Sequence, residues 1–368
     1  MTKLDGSPRK PSGAVVAPIE LSTTFVREGD GSFASGYFYT RHNNPNRSQL
    51  EEALRKLEHG AVALSFASGM AASMAALLAL QSGDHVVLPQ ECYHGTLSLM
   101  HEIFPRWGLS YSLVDMTDLE VVRSAMTPHT KLLWIETPSN PRLRLSDLTG
   151  LAALAHAHGA WVVCDNTMAS PLNQNPLLFG CDVVLHATTK YINGHSDVLG
   201  GVLITREHGP LAERLRTIQV CGGGVPAPFD CWLTSRSLAT LQLRIQTQND
   251  SALKIAEFLA QHARVTEVHY PWLPSHPQCA LARTQMRGGG GVVSFQVSGG
   301  EASAQRLVAN VHKIHRATSL GGVETLIEHR ASMERADTET PRDLVRLSVG
   351  LEPTQQIVDD LAAAFASL

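Results

Sequence analysis

Between residues 62 and 205 the chain alternates short apolar runs with helical stretches, and this alternation restricts the possible fold more than any other feature of its 368 residues. Runs at 62–66, 86–88, 109–114, 131–136, 161–165, 182–185 and 201–205 read as strands. Stretches at 69–80, 119–126 and 147–158 read as helices. A strand–helix–strand order returns each strand beside and parallel to its predecessor, so the expected class is α/β with a mostly parallel sheet covered on both faces. Ligands of such sheets sit beyond the carboxyl ends of the strands. Glu136, Asp165 and the Thr189-Lys190 pair all lie at such ends, around one crevice.

The flanks are different. Residues 1–45 carry Gly, Pro, Ser and Thr with little periodicity and read as an N-terminal arm. Ser48-Gln49-Leu50-Glu51 reads as a capping box, with Leu50, Leu54 and Leu57 on one helix face and Gly60 as the stop. After Pro228 a long helical stretch, 230–262, bridges to an α+β unit. That unit has strands near 265–269, 291–297 and 344–349 and helices at 302–312 and 354–365. The expected organisation is arm 1–45, α/β domain 46–229 and C-terminal α+β domain 230–368.

Composition narrows the function. Charged residues make up 17% and hydrophobic residues 43%, which suits a large buried core. Net charge is −4, and no basic run points to nucleic acid or a lipid surface. No stretch of about 18 apolar residues is present, and Met1 to Lys10 lacks an apolar signal core. Six cysteines without C-x-x-C spacing read as free thiols in a reducing cytoplasm. His156 and His158 lie two apart on a probable helix and do not face one way, so no metal site is expected.

The chemistry lies at the strand ends. Lys190 follows Val183-Val184-Leu185 and precedes Asn193-Gly194-His195. A lysine at the mouth of a buried strand is ordinarily a solvated strand end, but a desolvated one loses its proton and becomes a nucleophile able to form a Schiff base. Asp165 ends the run Trp161-Val162-Val163-Cys164. It reads either as a helix cap or as a carboxylate for a protonated pyridine nitrogen. Ser68-Gly69-Met70 opens a helix directly after a strand, and the free N–H groups there suit a phosphate. Aldehyde, ring nitrogen and phosphate are the three handles of pyridoxal 5′-phosphate (PLP).

These residues sit within a longer series of motifs. It runs through Pro18-Ile19, Ser22-Thr23-Thr24-Phe25, Tyr39-Thr40-Arg41 with Asn44-Pro45, Ser68-Gly69-Met70, and Tyr93 with Gly95-Thr96. It continues through Glu136-Thr137-Pro138-Ser139-Asn140-Pro141, Asp165-Asn166-Thr167, and Thr189-Lys190-Tyr191 with Gly194-His195-Ser196-Asp197. It closes with Ser319-Leu320-Gly321-Gly322-Val323-Glu324 and Arg346-Leu347-Ser348-Val349-Gly350-Leu351-Glu352. In this order, over nearly the whole chain, they resemble the Cys/Met-metabolism family of PLP enzymes. This is the trans-sulfuration group of cystathionine γ-synthases, cystathionine γ- and β-lyases, methionine γ-lyases and homoserine-ester sulfhydrylases.

The resemblance implies a fold-type-I large domain of the aspartate aminotransferase type and a homo-oligomer, at least a dimer and usually a tetramer. It implies that Lys190 carries the cofactor and moves protons, and that Asp165 holds the ring nitrogen. Tyr93 would stack on the ring and serve as a base, and Thr167 would orient the ring. Ser68, Gly69, Met70 and Thr189 would hold the phosphate. Tyr39 and Arg41 would reach the phosphate of a neighbouring subunit. Arg346 would take the substrate α-carboxylate, with Asn140 and Ser319 helping and Glu324 lining the substrate side.

Some positions depart from the family pattern. Ala187 replaces a frequent phosphate-binding serine, leaving one contact missing or transferred to Thr188. His94 replaces a frequent glycine. Gly95 stands where methionine γ-lyases carry a cysteine, and Glu324 favours γ- over β-chemistry. Phe38 replaces an acidic residue that can hold the distal ammonium of cystathionine. Arg330 replaces a common proline and is read as a solvated surface charge, with a second anion contact as the alternative. The expected activity is trans-sulfuration at a γ-carbon. A β-lyase or a sulfhydrylase is the runner-up, and a non-catalytic PLP-binding protein is the alternative of a different class.

Overall fold

The apolar runs of the first half become strands β1 (Val62–Phe66), β2 (His85–Pro89), β3 (Ser110–Val114), β4 (Thr130–Glu136), β5 (Trp161–Asp165), β6 (Val183–His186) and β7 (Gly201–Thr205). This structure, a computed structural model, describes residues 15–333 and 340–368; the part of the expected arm at 1–14 lies outside them. The seven strands order as β1-β7-β6-β5-β4-β2-β3. All neighbours are parallel except β7, which runs antiparallel to both β1 and β6. The β6–β7 connection is a loop that carries Lys190 and has no crossover helix, and a connection without one pairs its strands antiparallel.

Both faces of the sheet are buried, and side-chain alternation supplies both. Val86, Leu88, Trp134, Val163 and Leu185 pack with the Gly69–Leu78 helix, whose Ala72, Ala76 and Leu77 they meet. Val87, Leu133, Ile135, Val162 and Cys164 point the other way, onto Leu148, Leu151 and Ala155 of the Leu148–Ala157 helix. Period-two alternation sends successive residues to opposite faces, so a strand with apolar residues on both must be central. Each such side chain contributes about 1.5–3 kcal/mol on burial.

The first helix starts earlier than expected. It spans Pro45–Leu57, and Asn44 caps it by accepting from the N–H groups of Asn46 and Arg47. Ser48 therefore lies inside the helix and forms no capping box. Glu51 turns instead to the sheet, accepting from the Ser65 N–H at 2.8 Å. Gly60 is not the helix stop either; His59 takes the left-handed conformation. A Cβ on Gly60 would lie 2.3 Å from Cγ2 of Ile204, so the glycine serves close helix–sheet approach.

The stretch expected as one long helix is two, Pro228–Leu238 and Leu241–Ala260, interrupted at Ala239-Thr240. Cys231, Leu238, Leu241 and Ile245 pack with Leu50 and Leu54 of the first helix, beside Val184 and Ile204 of the first sheet. Farther along, Ala252, Ile255, Ala256 and Leu259 enter the core of the second sheet.

That sheet orders as β10-β11-β12-β9-β8. Its strands are β8 (Val265–His269), β9 (Val292–Val297), β10 (His315–Arg316), β11 (Leu326–His329) and β12 (Leu344–Ser348). Strand β11 escaped the sequence reading because Glu328 and His329 break its apolar run. Its register sets Glu328 opposite Arg346.

Candidate active site

The parallel register brings the strand ends level. Glu136 pairs with Asp165 across β4 and β5, and Asp165 pairs with Leu185 across β5 and β6. Thr167 links the Asp165 turn to the Lys190 loop. Its N–H donates to Asp165 Oδ1 at 3.0 Å, and its Oγ1 accepts from the Ala187 N–H at 2.9 Å.

A buried network lies behind this floor. Glu58, wholly buried just past the first helix, accepts from the side-chain amides of Asn166 at 2.9 Å and Asn175 at 3.1 Å. Its Oε1 also lies 2.6 Å from His186 Nε2.

Lys190 Nζ donates to Ser319 Oγ at 2.7 Å. Burial, then the charge of Arg346, pushes the lysine pKa down to about 8, so its amine is nucleophilic at far lower pH than an ordinary lysine. Asp165 is buried, and burial raises its carboxyl above the usual range despite its bonds to Thr167. Glu136 is pushed well up, by burial and then by the like charge of Asp165. A buried carboxylate left short of positive charge suits a protonated ring nitrogen.

The phosphate end fits as well. Ser68 Oγ accepts from the Ala71 N–H at 3.0 Å, and Ser68 O accepts from Ala72. The Gly69 and Met70 N–H groups at the first turn therefore remain for a ligand. A Cβ on Gly69 would lie 2.8 Å from the Ala187 Cβ, so the small residue at 187 lets helix and loop close together. Thr189 Oγ1 is engaged with Gly200, accepting from its N–H at 2.9 Å. Thr188 is buried, and its hydroxyl occupies the space that a Cβ on Gly200 would fill.

Tyr93 stands partly exposed above the crevice, its N–H donating to Glu136 Oε2 at 2.7 Å and its ring tilted against His94. Tyr39 and Arg41 lie on the exposed arm. Arg41 donates to Val220 O at 2.9 Å and sits 5.7 Å from the Tyr39 ring centroid. Buried Arg47 fixes this arm by donating to Thr40 O at 2.9 Å. Phe38 packs on His42.

The substrate side converges on Arg346. Its guanidinium donates to Asn140 Oδ1 at 2.8 Å and Ser319 O at 3.1 Å, and pairs with Glu328 Oε1 at 2.6 Å. Ser319 adopts a left-handed backbone, φ 103°, which costs about 1–3 kcal/mol in a non-glycine residue. Its hydroxyl meets Lys190 while its carbonyl meets Arg346. Glu324 Oε2 accepts from Ser196 Oγ at 3.4 Å.

The surface reading of Arg330 is overturned. The residue is buried and pairs with the same Glu328 Oε1 at 3.0 Å. Arg330 opens the turn that follows β11, and that turn returns its guanidinium to the carboxylate that Arg346 also holds. Glu328, Glu58 and His186 were not singled out from the sequence, because their partners lie across the sheet or far along the chain.

The Lys190 environment gives a pH test. In cofactor-free protein the rate of loading with PLP should rise with pH around a midpoint near 8, followed by visible absorbance. A midpoint above 10, that of a solvated lysine, would contradict the buried amine.

Comparison with known proteins gives the family. The family described as Cys/Met metabolism PLP-dependent enzyme matches residues 2–366. Cystathionine gamma-synthase of Mycobacterium tuberculosis is 48% identical over 363 residues, covering 97% of this chain and 93% of that protein. Cystathionine gamma-lyase of Dictyostelium discoideum is 42% identical, covering 96% and 94%. Cystathionine beta-lyase of Coxiella burnetii is 41% identical, covering 96% and 93%. The crystal structure of metB from Corynebacterium glutamicum superposes with a TM-score of 0.96 at 41% identity, covering 98% of this chain and 96% of that one. The chain thus belongs to the Cys/Met-metabolism family of PLP-dependent enzymes.

Proposed function

We propose that the enzyme acts at the γ-carbon of an amino acid, either replacing the acyl group of an O-acylhomoserine with a thiol or eliminating from cystathionine. The observation that carries this reading is the meeting of two groups on Ser319. Lys190 Nζ reaches its Oγ, and Arg346 reaches its carbonyl. A base for Cα and an anchor for the α-carboxylate are thereby held at fixed spacing. The γ preference draws on Glu324 and on the relatives named cystathionine gamma-synthase and gamma-lyase.

Bound PLP supplies an electron sink that lowers the cost of negative charge at Cα. The chain supplies the rest. Arg346 binds the carboxylate through a charge-assisted fork, with Asn140 fixing the guanidinium plane. The Lys190 amine takes the Cα proton and moves protons at Cβ, and its pKa near 8 suits that task. Asp165 would keep a proton on the ring nitrogen. Tyr93, anchored through its N–H to Glu136, would cover the ring. Gly69 and Met70 would hold the phosphate through the helix N-terminus.

We also propose that the chain works as a homo-oligomer, a dimer at least, with Tyr39 and Arg41 completing a neighbour's phosphate site. The exposed arm supports this. The six free cysteines, four of them buried, suit the cytoplasm. No helix among the described residues is long and apolar enough to cross a membrane.

Three measurements test these proposals. Purified enzyme should convert an O-acylhomoserine plus cysteine to cystathionine, or cystathionine to cysteine, ammonia and a 2-oxo acid, identified by mass spectrometry. Release of homocysteine from cystathionine would show β-chemistry instead. Arg346→Ala should lose about 30-fold or more in kcat/KM, mainly through KM, because an unpaired buried carboxylate costs roughly 2–5 kcal/mol. Its visible absorbance should persist, and unchanged kinetics would place the carboxylate elsewhere. Mixing inactive Arg41→Ala and Lys190→Ala proteins should restore activity through hybrid sites, and absence of activity despite verified subunit exchange would refute the shared site.

A further inference from the structure

Glu328 lies between two guanidinium groups. Its Oε1 accepts from Arg346 at 2.6 Å and from Arg330 at 3.0 Å. Its Oε2 is buried with no hydrogen-bond partner among the described residues. All three side chains are buried, with exposures of 3%, 4% and 6% for Arg346, Arg330 and Glu328. The strand register and the turn that follows it explain the grouping. Glu328 is directly opposite Arg346 on β12, and Arg330 opens the short turn after β11, which brings its guanidinium back to the same carboxylate. The cluster borders the crevice, since Arg346 donates to the carbonyl of Ser319, whose hydroxyl accepts from Lys190 Nζ.

A buried ion pair of one arginine and one glutamate is close to neutral and offers an incoming carboxylate little net attraction. A second guanidinium on the same oxygen changes that balance. It takes up part of the glutamate charge, so less of the Arg346 charge is cancelled before substrate arrives. Partner division of this kind does not depend on what else Arg330 touches, only on both arginines drawing on Oε1.

We propose that Arg330 is a positioning residue for substrate recognition: by sharing Glu328 with Arg346, it keeps the Arg346 guanidinium charged toward the α-carboxylate of the amino-acid substrate. This rests on the assignment of Arg346 as the carboxylate anchor. Arg330 acts through Glu328 and touches no reacting atom. It sets how strongly any α-amino acid is held, not which side chain is preferred.

The test uses the holoenzyme after borohydride reduction, which fixes the cofactor on Lys190 and stops turnover. Propionate serves as the probe for the carboxylate site, and its Kd is measured by calorimetry. Arg330→Gln should weaken propionate binding about tenfold or more, the effect of losing one charge within about 12 Å at an effective dielectric near 20. Arg330→Lys should restore most of the affinity, because a charge is returned; a purely steric role for Arg330 would not give that rescue. Arg346→Lys serves as the control and should weaken binding at least as much, since it loses the fork. Should Arg330→Gln fail to fold, Arg330→Met asks the same question, and wild-type affinity in any folded neutral variant overturns the proposal. Weakening in the Arg346 variant alone sinks the role of Arg330 and leaves the anchor standing. Unchanged binding in both variants removes the anchor and, with it, this inference.

Discussion

The buried carboxylate of Glu58 holds together the parts on which the site depends. Burying a charge costs several kcal/mol unless its acceptor positions are filled. Here His186, Asn166 and Asn175 supply partners to both oxygens. Two of these partners adjoin candidate site residues or their loop. Asn166 follows Asp165, and His186 precedes Ala187 at the root of the Lys190 loop. The Asn166 amide also donates to Gln174 O, and Gln174 reaches Thr137 O at the end of β4. One residue beyond the first helix thus ties three strand ends into a rigid floor. Removing it would leave the His186 ring nitrogen and one N–H of the Asn166 amide buried without that partner, each costing about 1–3 kcal/mol.

Above this floor the charges are arranged in opposition. Two carboxylates, Glu136 and Asp165, occupy neighbouring strand ends in the first sheet. Two guanidiniums, Arg330 and Arg346, flank Glu328 on the second. Lys190 lies between, its proton weakened by burial and by the arginines. The acidic side suits a cationic ring nitrogen, and the basic side suits an anionic substrate. Polarity of this kind across a crevice suits a molecule that carries both charges, such as an amino acid. Ser319 joins the two halves, its left-handed backbone aiming hydroxyl and carbonyl at Lys190 and Arg346 together.

Strands β1, β5 and β7 and the helix after β1 were legible because their apolar periods are strong and their ends carry Gly, Asn or Asp. Lys190 and Asp165 were legible because polar residues at the ends of buried strands stand out. The first helix boundary was misplaced because two capping signals compete within five residues. Asn44 beats Ser48 because Pro45, with φ already fixed, suits the first helical turn. Helical periodicity continues across Ala239-Thr240, and the break there was missed. Strand β11 was hidden by Glu328 and His329, which interrupt its apolar run.

The sequence by itself determined the class of fold, through local period, and the cofactor, through polar residues at strand ends set within an ordered series of motifs that resembles a known family. Only the tertiary structure decided that Arg330 is buried, that it shares Glu328 with Arg346, and that Glu58 reaches His186 and Asn166 across more than a hundred residues. Those relations follow from sheet register and from which helix covers which face. A one-residue slip in register would turn Glu328 away from Arg346 without altering a single local propensity.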